Sequence, residues 1–440
     1  MGDRWVVEED KRQRASRAIV AATIGNALEF YDFITFGFFA LQIGRTFFPS
    51  HDSYVSLMAS LATFGAGFLT RPLGGIVIGR YADRVGRKPA MILSFLLMGV
   101  SIVALALVPS YAAIGLSAPV LVVIVRMVQG FSLGGEVGPT TAYLLEAAPP
   151  EKRGLYVAWQ GASQASASIT AGLVGFVLSL LMTKADLDAY GWRIAFLLGA
   201  LAIPYGLWVR RNVPETIHVP EEGALARPGG KGFVNAVRDN ARIIVVAFVA
   251  LASGTTATYI SNYLVTFAQA TLHMPARVAF AASVVRDLVS LGASLLGGFV
   301  SDKVGRRPVL LFPRFLTLLL IYPVYAWIVE ARDAMALFLG YGVLTFVGAF
   351  SGGPLYAAFS ESLPKPIRGR SIAIIYAAAI TIFGSTTQLV ATWLLRATGN
   401  PMALAWYLFA ASAIGTVAIV FLLESAPVRV AQRLASVPAQ

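Results

Sequence analysis

Cysteine is absent from all 440 residues, so disulfides, thiolate metal sites and thiol nucleophiles are excluded from the outset. Three histidines leave little material for an imidazole metal centre, and no metal site is expected. Charge is scarce as well: 13% of residues are Asp, Glu, Lys or Arg, against about 25% in an ordinary soluble domain. The sequence holds no Gly-rich phosphate loop and no paired nucleophile and base, which removes an ATP-driven pump and a membrane enzyme. A nutrient receptor would need a sizeable soluble domain, whereas the one long polar interval covers residues 212–242.

What fills the chain instead is apolar. Hydrophobic residues make up 57% of it, and mean hydropathy is +0.70. Runs of about twenty apolar residues, long enough to cross a hydrocarbon core of about 30 Å as helices, fall near 19–41, 57–80, 90–109, 118–145, 155–182, 192–211, 243–268, 277–300, 309–329, 334–361, 370–396 and 402–423. The polar interval, with Pro214, Pro220, Pro228, Gly229 and Gly230, divides them six and six. The expected architecture is an all-α membrane protein: twelve transmembrane helices in two pseudo-symmetric six-helix bundles. Residues 1–211 form the first bundle, 212–242 a cytoplasmic linker, and 243–440 the second bundle with a short cytoplasmic tail. The first run is of full length and carries Glu29 and Asp32, so it reads as a span and not as a signal peptide.

The net charge of +12 has a topological explanation and calls for no nucleic acid. Lys and Arg cluster at 4–17, 80–88, 152–153, 210–242, 303–307, 365–370 and 429–433, while the opposite loops carry Arg45, Lys184, Arg193, Arg277, Arg332 and Arg396. The positive-inside bias then puts both termini and the linker in the cytoplasm of a bacterial inner-membrane protein. Arg71, Arg126, Arg286 and Arg314 are left within spans. Arg314 lies close to a cytoplasmic end, where its long stem can snorkel.

The halves also repeat. GRYADRVGRKP at 79–89 returns as GFVSDKVGRRP at 298–308, and EAAPPEKRG at 146–154 returns as ESLPKPIRG at 361–369. Gly79, Asp83, Arg84, Gly86 and Arg87 in one copy, and Gly298, Asp302, Gly305 and Arg306 in the other, place an acid and several cations on a Gly-bent turn. Such a set can form charge-assisted bonds to a neighbouring helix end and latch one conformation. A loop that served only topology would need neither Asp nor Gly at these spacings.

This signature resembles that of the major facilitator superfamily, in the loop between helices 2 and 3. GNALEFYDF at 25–33, FLTRPLGG at 68–75, RMVQGFSLGGE at 126–136 and the loop at 146–154 narrow the resemblance to its metabolite:proton symporter family. AWQGASQ at 158–164, with Asn26, is most similar to the citrate and tricarballylate branch, although Arg286 and Asp287 fall where that branch carries uncharged residues. The resemblance implies two bundles rocking about a central site.

An ionisable group at mid-bilayer costs about 2.5–3.5 kcal/mol, so each one is a functional candidate unless it merely welds helices together. In the fourth run Gly130, Gly134 and Gly138 form a packing stripe, while Gln129, Glu136 and Thr140 share another face with Arg126 nearby. In the fifth, Gln160, Gln164 and Ser168 align at i, i+4, i+8. In the first, Asn26, Glu29 and Phe33 share a face, with Asp32 turned about 60 degrees from Glu29. Desolvation there favours the neutral acid and makes reversible protonation available. Asp32 is the first choice for the proton carrier, with Glu29 and Glu136 as alternatives, and each of the three could instead be a fixed partner of Arg71 or Arg126. Substrate contacts are expected from Asn26, Arg71, Arg126, Gln129, Gln160 and Gln164, and from Tyr259, Asn262 and Arg286 in the second half; Arg286 has Asp287 as an alternative partner.

Four arginines balance Glu29, Asp32, Glu136 and Asp287 if all are ionised. Protonating one acid leaves the cavity positive and attracts an anion, so proton and anionic substrate bind with mutual assistance. The expectation is a monomeric secondary transporter, not an enzyme, that carries a di- or tricarboxylate by proton symport, with citrate or tricarballylate favoured. No cofactor is expected, and sodium is left open as a coupling ion. The alternatives are 2-oxoglutarate, shikimate or proline/betaine as solute and, more distantly, drug:proton antiport.

Overall fold

The computed structural model describes residues 26–27, 30–134, 148–212, 230–422 and 424–426; these form helices and short connections, with no strand among the described residues. Helical residues 30–38 run through Phe39, whose N–H bonds the Thr35 carbonyl at 3.0 Å, into Ala40–Phe47 and make up the first span. The second to sixth spans are Ser53–Val85, Arg87–Leu107, Ser117–Leu133, Arg153–Leu181 and Trp192–Asn212. The seventh, Ala241–Asn262, continues past Tyr263 into Leu264–Ala270. Ala276–Val304 and Arg306–Ala331 are the eighth and ninth. The tenth joins Ala334–Phe350 to Gly352–Ser362 at Ser351, and the eleventh joins Lys365–Ala379 to Ser385–Thr398 through a π-helical turn at Ile380–Gly384. Ala403–Val420 is the twelfth.

Among the described residues, 8 helices are individually long and apolar enough to cross a membrane. The first span runs six residues beyond its expected end at 41, because Gly44 lets its backbone lie against that of Ser56: a Cβ there would stand 2.7 Å from the Ser56 carbonyl oxygen. The polar interval expected as a linker contains a helix, Gly230–Asp239. Pro72, Pro204, Pro313 and Pro323 lie inside helices. Within a bundle, neighbouring groups can re-satisfy the carbonyls that proline leaves free.

Glycine decides the tightest packing. A Cβ on Gly130 would fall 1.6 Å from the Gly67 carbonyl oxygen, and one on Gly134 would fall 1.9 Å from that of Arg71, so the second and fourth spans touch backbone to backbone. The two halves meet along the fifth and eighth spans and again along the second and eleventh, where Gly65 approaches the Ser385 carbonyl. At one end of the fifth–eighth seam the Phe280 ring fills the room above Gly175 and packs on Phe39, with ring centroids 5.0 Å apart. Leu69, Val100, Leu181, Leu201, Phe312 and Leu319 are among the exposed large apolar side chains, as a lipid-facing surface requires.

Candidate functional site

Between the halves lies a cavity of about 320 Å³. The first bundle contributes Phe30, Phe33, Gln164 and Ser168 to its wall, and the second contributes Tyr259, Asn262, Arg286, Asp287, Arg314 and Tyr376. Of the residues expected to meet substrate, Gln164, Tyr259, Asn262 and Arg286 line it. Gln160 is buried, and Asn26 donates to Ser163 Oγ at 2.6 Å, tying the first span to the fifth.

Arg71, Arg126 and Gln129 form a second group just behind the wall. The Arg126 guanidinium stands 3.7 Å from Asp32 Oδ2 and donates to Gln129 Oε1 at 2.8 Å. Asp32 Oδ1, Arg126 Nε and Gln129 Nε2 are buried and have no hydrogen-bond partner among the described residues. The Arg71 carbon Cζ sits 4.7 Å from the Phe33 ring centroid and 4.3 Å from that of Phe68, while Arg126 lies over Phe36 at 4.3 Å and near Phe33 at 5.4 Å. Both guanidinium groups therefore rest against Phe33, the ring that faces the cavity, and are held by aromatic quadrupoles in addition to the Asp32 carboxylate. Tyr259 meets Phe33, Phe64 and Phe68 edge-on and closes this aromatic box from the second bundle.

Arg286 is placed differently. Its guanidinium grips the neighbouring Asp287 at 2.5 and 2.7 Å and also bonds the Ser261 carbonyl, while Ser168 of the fifth span donates to Asp287 Oδ2 at 2.5 Å. The pair thus clasps the fifth, seventh and eighth spans, and its hydrogen-bonding capacity is largely taken up within the protein.

Of the two copies of the loop signature, the one at 298–308 is described in full. Gly305 has φ +112 and Gly86 φ +109, a region that side chains with a Cβ rarely adopt, which is why both turns carry glycine. Asp302 accepts from the N–H groups of Gly154 and Leu155 at 2.8 and 2.9 Å, so an acid of the second bundle caps the N-terminus of the fifth span in the first. Gly298 permits the approach, since a Cβ there would lie 2.7 Å from the Gly154 carbonyl oxygen. Arg306 is fully buried, bonded to Asp302 at 2.7 Å and to both oxygens of Glu361 at 3.0 and 3.2 Å. Glu424 accepts from the N–H groups of Arg306 and Arg307 at 2.8 and 3.0 Å. Burial alone would push the Glu424 carboxyl up, but backbone N–H groups of Ala426, Arg306, Arg307 and Ser425 together hold it below the usual carboxylate value. In the first loop Arg84 is exposed and Gly79 has open space where a Cβ would stand. The side chains of Asp83 and Arg87 lie outside the described residues, as do Glu29, Glu136, Gly138 and Thr140.

Sequence reasoning missed Glu361 and Glu424. Glu361 opens the repeated segment ESLPKPIRG, a usable signal; Glu424 stands alone after the last span and offered none. It also misplaced Arg314. Instead of reaching outward to the membrane surface, Arg314 turns inward, lines the cavity and donates to Ser253 Oγ at 3.1 Å. Counting residues along a helix gives depth, but direction is set by the small residues of the neighbouring spans that make room for the side chain.

A model of the major facilitator superfamily matches residues 22–378. A citrate-proton symporter of Salmonella typhi is 36% identical over 409 residues, 92% of this chain and 93% of that protein. An alpha-ketoglutarate permease of Escherichia coli (strain K12) is 34% identical over 413 residues, again 92% of this chain and 93% of that protein. Among solved structures, a proton:xylose symporter bound to 6-bromo-6-deoxy-D-glucose superposes with a TM-score of 0.74 at 16% identity, covering 94% of this chain and 97% of its own, a likeness of fold. Twelve spans in two halves, a cavity where the halves meet, a doubled loop signature and these matches lead to one assignment: the chain belongs to the major facilitator superfamily.

Proposed function

We propose that this membrane protein is a proton-coupled symporter of a small di- or tricarboxylate, citrate or tricarballylate foremost, working by alternating access in a bacterial inner membrane with both termini cytoplasmic. The observation that carries the reading is the incompletely partnered Asp32–Arg126 pair against Phe33. A proton on Asp32 removes the one carboxylate that opposes Arg126 among the described residues, and leaves two guanidinium groups with a demand for an anion. A substrate carboxylate supplies it, so each ligand favours the other. Displacement of Phe33 is then the step that brings Arg71 and Arg126 into contact with the cavity. Arg286, already neutralised by Asp287, serves the bundle seam in this scheme, while Asp302 on the fifth-span N-terminus holds the cytoplasmic side closed until substrate has bound. Two relatives at similar identity, named for citrate and for alpha-ketoglutarate, support a carboxylate and leave its length to experiment.

The test is uptake into proteoliposomes. An inward proton gradient should accelerate accumulation of labelled citrate or tricarballylate, and a protonophore should abolish it. Equal uptake with no ion gradient would overturn symport, and accumulation that follows a sodium gradient alone would replace the proton as coupling ion.

A further inference from the structure

We propose that Arg314 is an anion-binding residue of the cavity, which takes one carboxylate of the substrate from the second bundle. The proposal rests on the carboxylate reading above and adds to it a residue that the first-bundle arginines do not supply.

Arg314 lies eight residues into the ninth span, about 12 Å along the helix from its cytoplasmic start. Arg306 and Arg307 stand at the start of the same span, about two turns away. Its guanidinium is half-buried between the seventh and twelfth spans and lines the cavity together with Ser253's neighbour Gly254, Thr317 and Ser412. Room for it is provided by glycine: a Cβ on Gly415 would come within 2.8 Å of Arg314 Nη1, and one on Gly254 would lie 3.8 Å from Nη2.

The electrostatics separate Arg314 from the other intramembrane arginines. Arg126 has Asp32 and Arg286 has Asp287. Arg71 is covered by two aromatic rings. Among the described residues, no Asp or Glu lies within ion-pair distance of Arg314, and its one hydrogen bond to protein goes from Nη1 to the neutral Ser253 hydroxyl, which leaves the rest of the planar fork free in a residue that lines the cavity. Among the described residues the one acid on the cavity wall is Asp287, which is already held by Arg286 and Ser168. A fixed cation with no acid beside it among the described residues is complementary to an anion brought from outside, and a guanidinium with two free parallel donors is complementary to a carboxylate.

Purified Arg314→Gln, Arg314→Lys and the control Arg396→Gln would be compared with the unmodified protein for binding of tricarballylate, glutarate and butyrate, alongside thermal melting without ligand. The proposal expects Arg314→Gln to weaken tricarballylate binding tenfold or more, Arg314→Lys to weaken it threefold or more, and Arg396→Gln to leave it unchanged. The penalty should shrink from tricarballylate to butyrate, a dependence on carboxylate number that a residue needed only for packing would not impose. If both Arg314 variants bind tricarballylate within threefold of the unmodified protein, the proposal is overturned and the carboxylate reading stands. If the unmodified protein binds none of the three acids and no citrate, the carboxylate reading fails and takes this proposal with it. Should Arg314→Gln not fold, Arg314→Lys decides by the same threefold threshold.

Discussion

Asp32 and Arg126 stand 3.7 Å apart with one carboxylate oxygen and the guanidinium Nε unpartnered among the described residues, whereas Arg286 and Asp287 meet at 2.5 Å with Ser168 and the Ser261 carbonyl completing the set. Both pairs are buried in spans, and both put an acid beside an arginine. The difference lies in how fully each is satisfied. A saturated pair has nothing to gain from a ligand and much to lose from a broken contact; a loose one has capacity left and can exchange its carboxylate for another. Position agrees with this division, for the tight pair lies on the fifth–eighth seam and the loose one lies under the aromatic wall of the cavity.

The comparison breaks most readily at Asp287. Asp287→Asn leaves Arg286 buried without its counter-charge, and the expected cost is about 3–5 kcal/mol. That should appear as loss of folded protein in detergent, with Arg286→Gln/Asp287→Asn together recovering much of the yield. A well-folded single variant that exchanges substrate but cannot concentrate it would reverse the assignment and make the tight pair the proton site. Next in size is Asp32→Asn, which imitates the protonated acid permanently: counterflow should persist, concentrative uptake should fall to background, and affinity should lose most of its pH dependence. Survival of both activities would remove Asp32 from coupling and direct attention to Glu29 and Glu136.

Arg126→Lys sharpens the contrast further. It keeps the charge beside Asp32 but not the planar fork over Phe36, so substrate affinity should drop about tenfold, ~1.4 kcal/mol, while Arg286→Lys should act on yield more than on affinity. Unchanged binding in Arg126→Lys would move the first-bundle anion contact to Arg71. The smallest effect concerns an acid outside the spans. Because the Glu424 value is depressed in the folded protein, its contribution is present above the unfolded glutamate value and lost as pH falls through the lower folded one. Glu424→Gln should lower the melting temperature by about 1–3 °C at neutral pH, with the difference from the unmodified protein vanishing in acid.

Much of this was legible because lipid makes strong demands on sequence. Span number, the two-fold repeat and the backbone contact at Gly130 and Gly134 follow from hydropathy, offset and small-residue spacing, and each has a single structural solution. The pairing of charges was not legible to the same degree. Nothing in the spacing of Asp32, Arg71 and Arg126 says that Phe33 stands between two guanidinium groups and the cavity, since that depends on how the first, second and fourth spans are rotated against one another. Adjacent Arg286 and Asp287 could equally have diverged around the helix; Ser168, from another bundle, helps to hold them together. Asp302 was recognisable as a cap but its target was not, because the receiving helix end at Gly154 lies 148 residues earlier in the chain.

The backbone contact between the second and fourth spans has a consequence for selectivity. Arg71 and Arg126 each project from one of these two helices, and with Gly130 against Gly67 and Gly134 against Arg71 itself there is no side-chain layer between them to slide or compress. Packing this close favours the two helices moving as one body, which holds the backbone positions of Arg71 and Arg126 together through a rocking motion. If Arg71 and Arg126 hold a substrate's carboxylates as proposed, it is the glycines, not the arginines, that fix how far apart the two side chains are rooted.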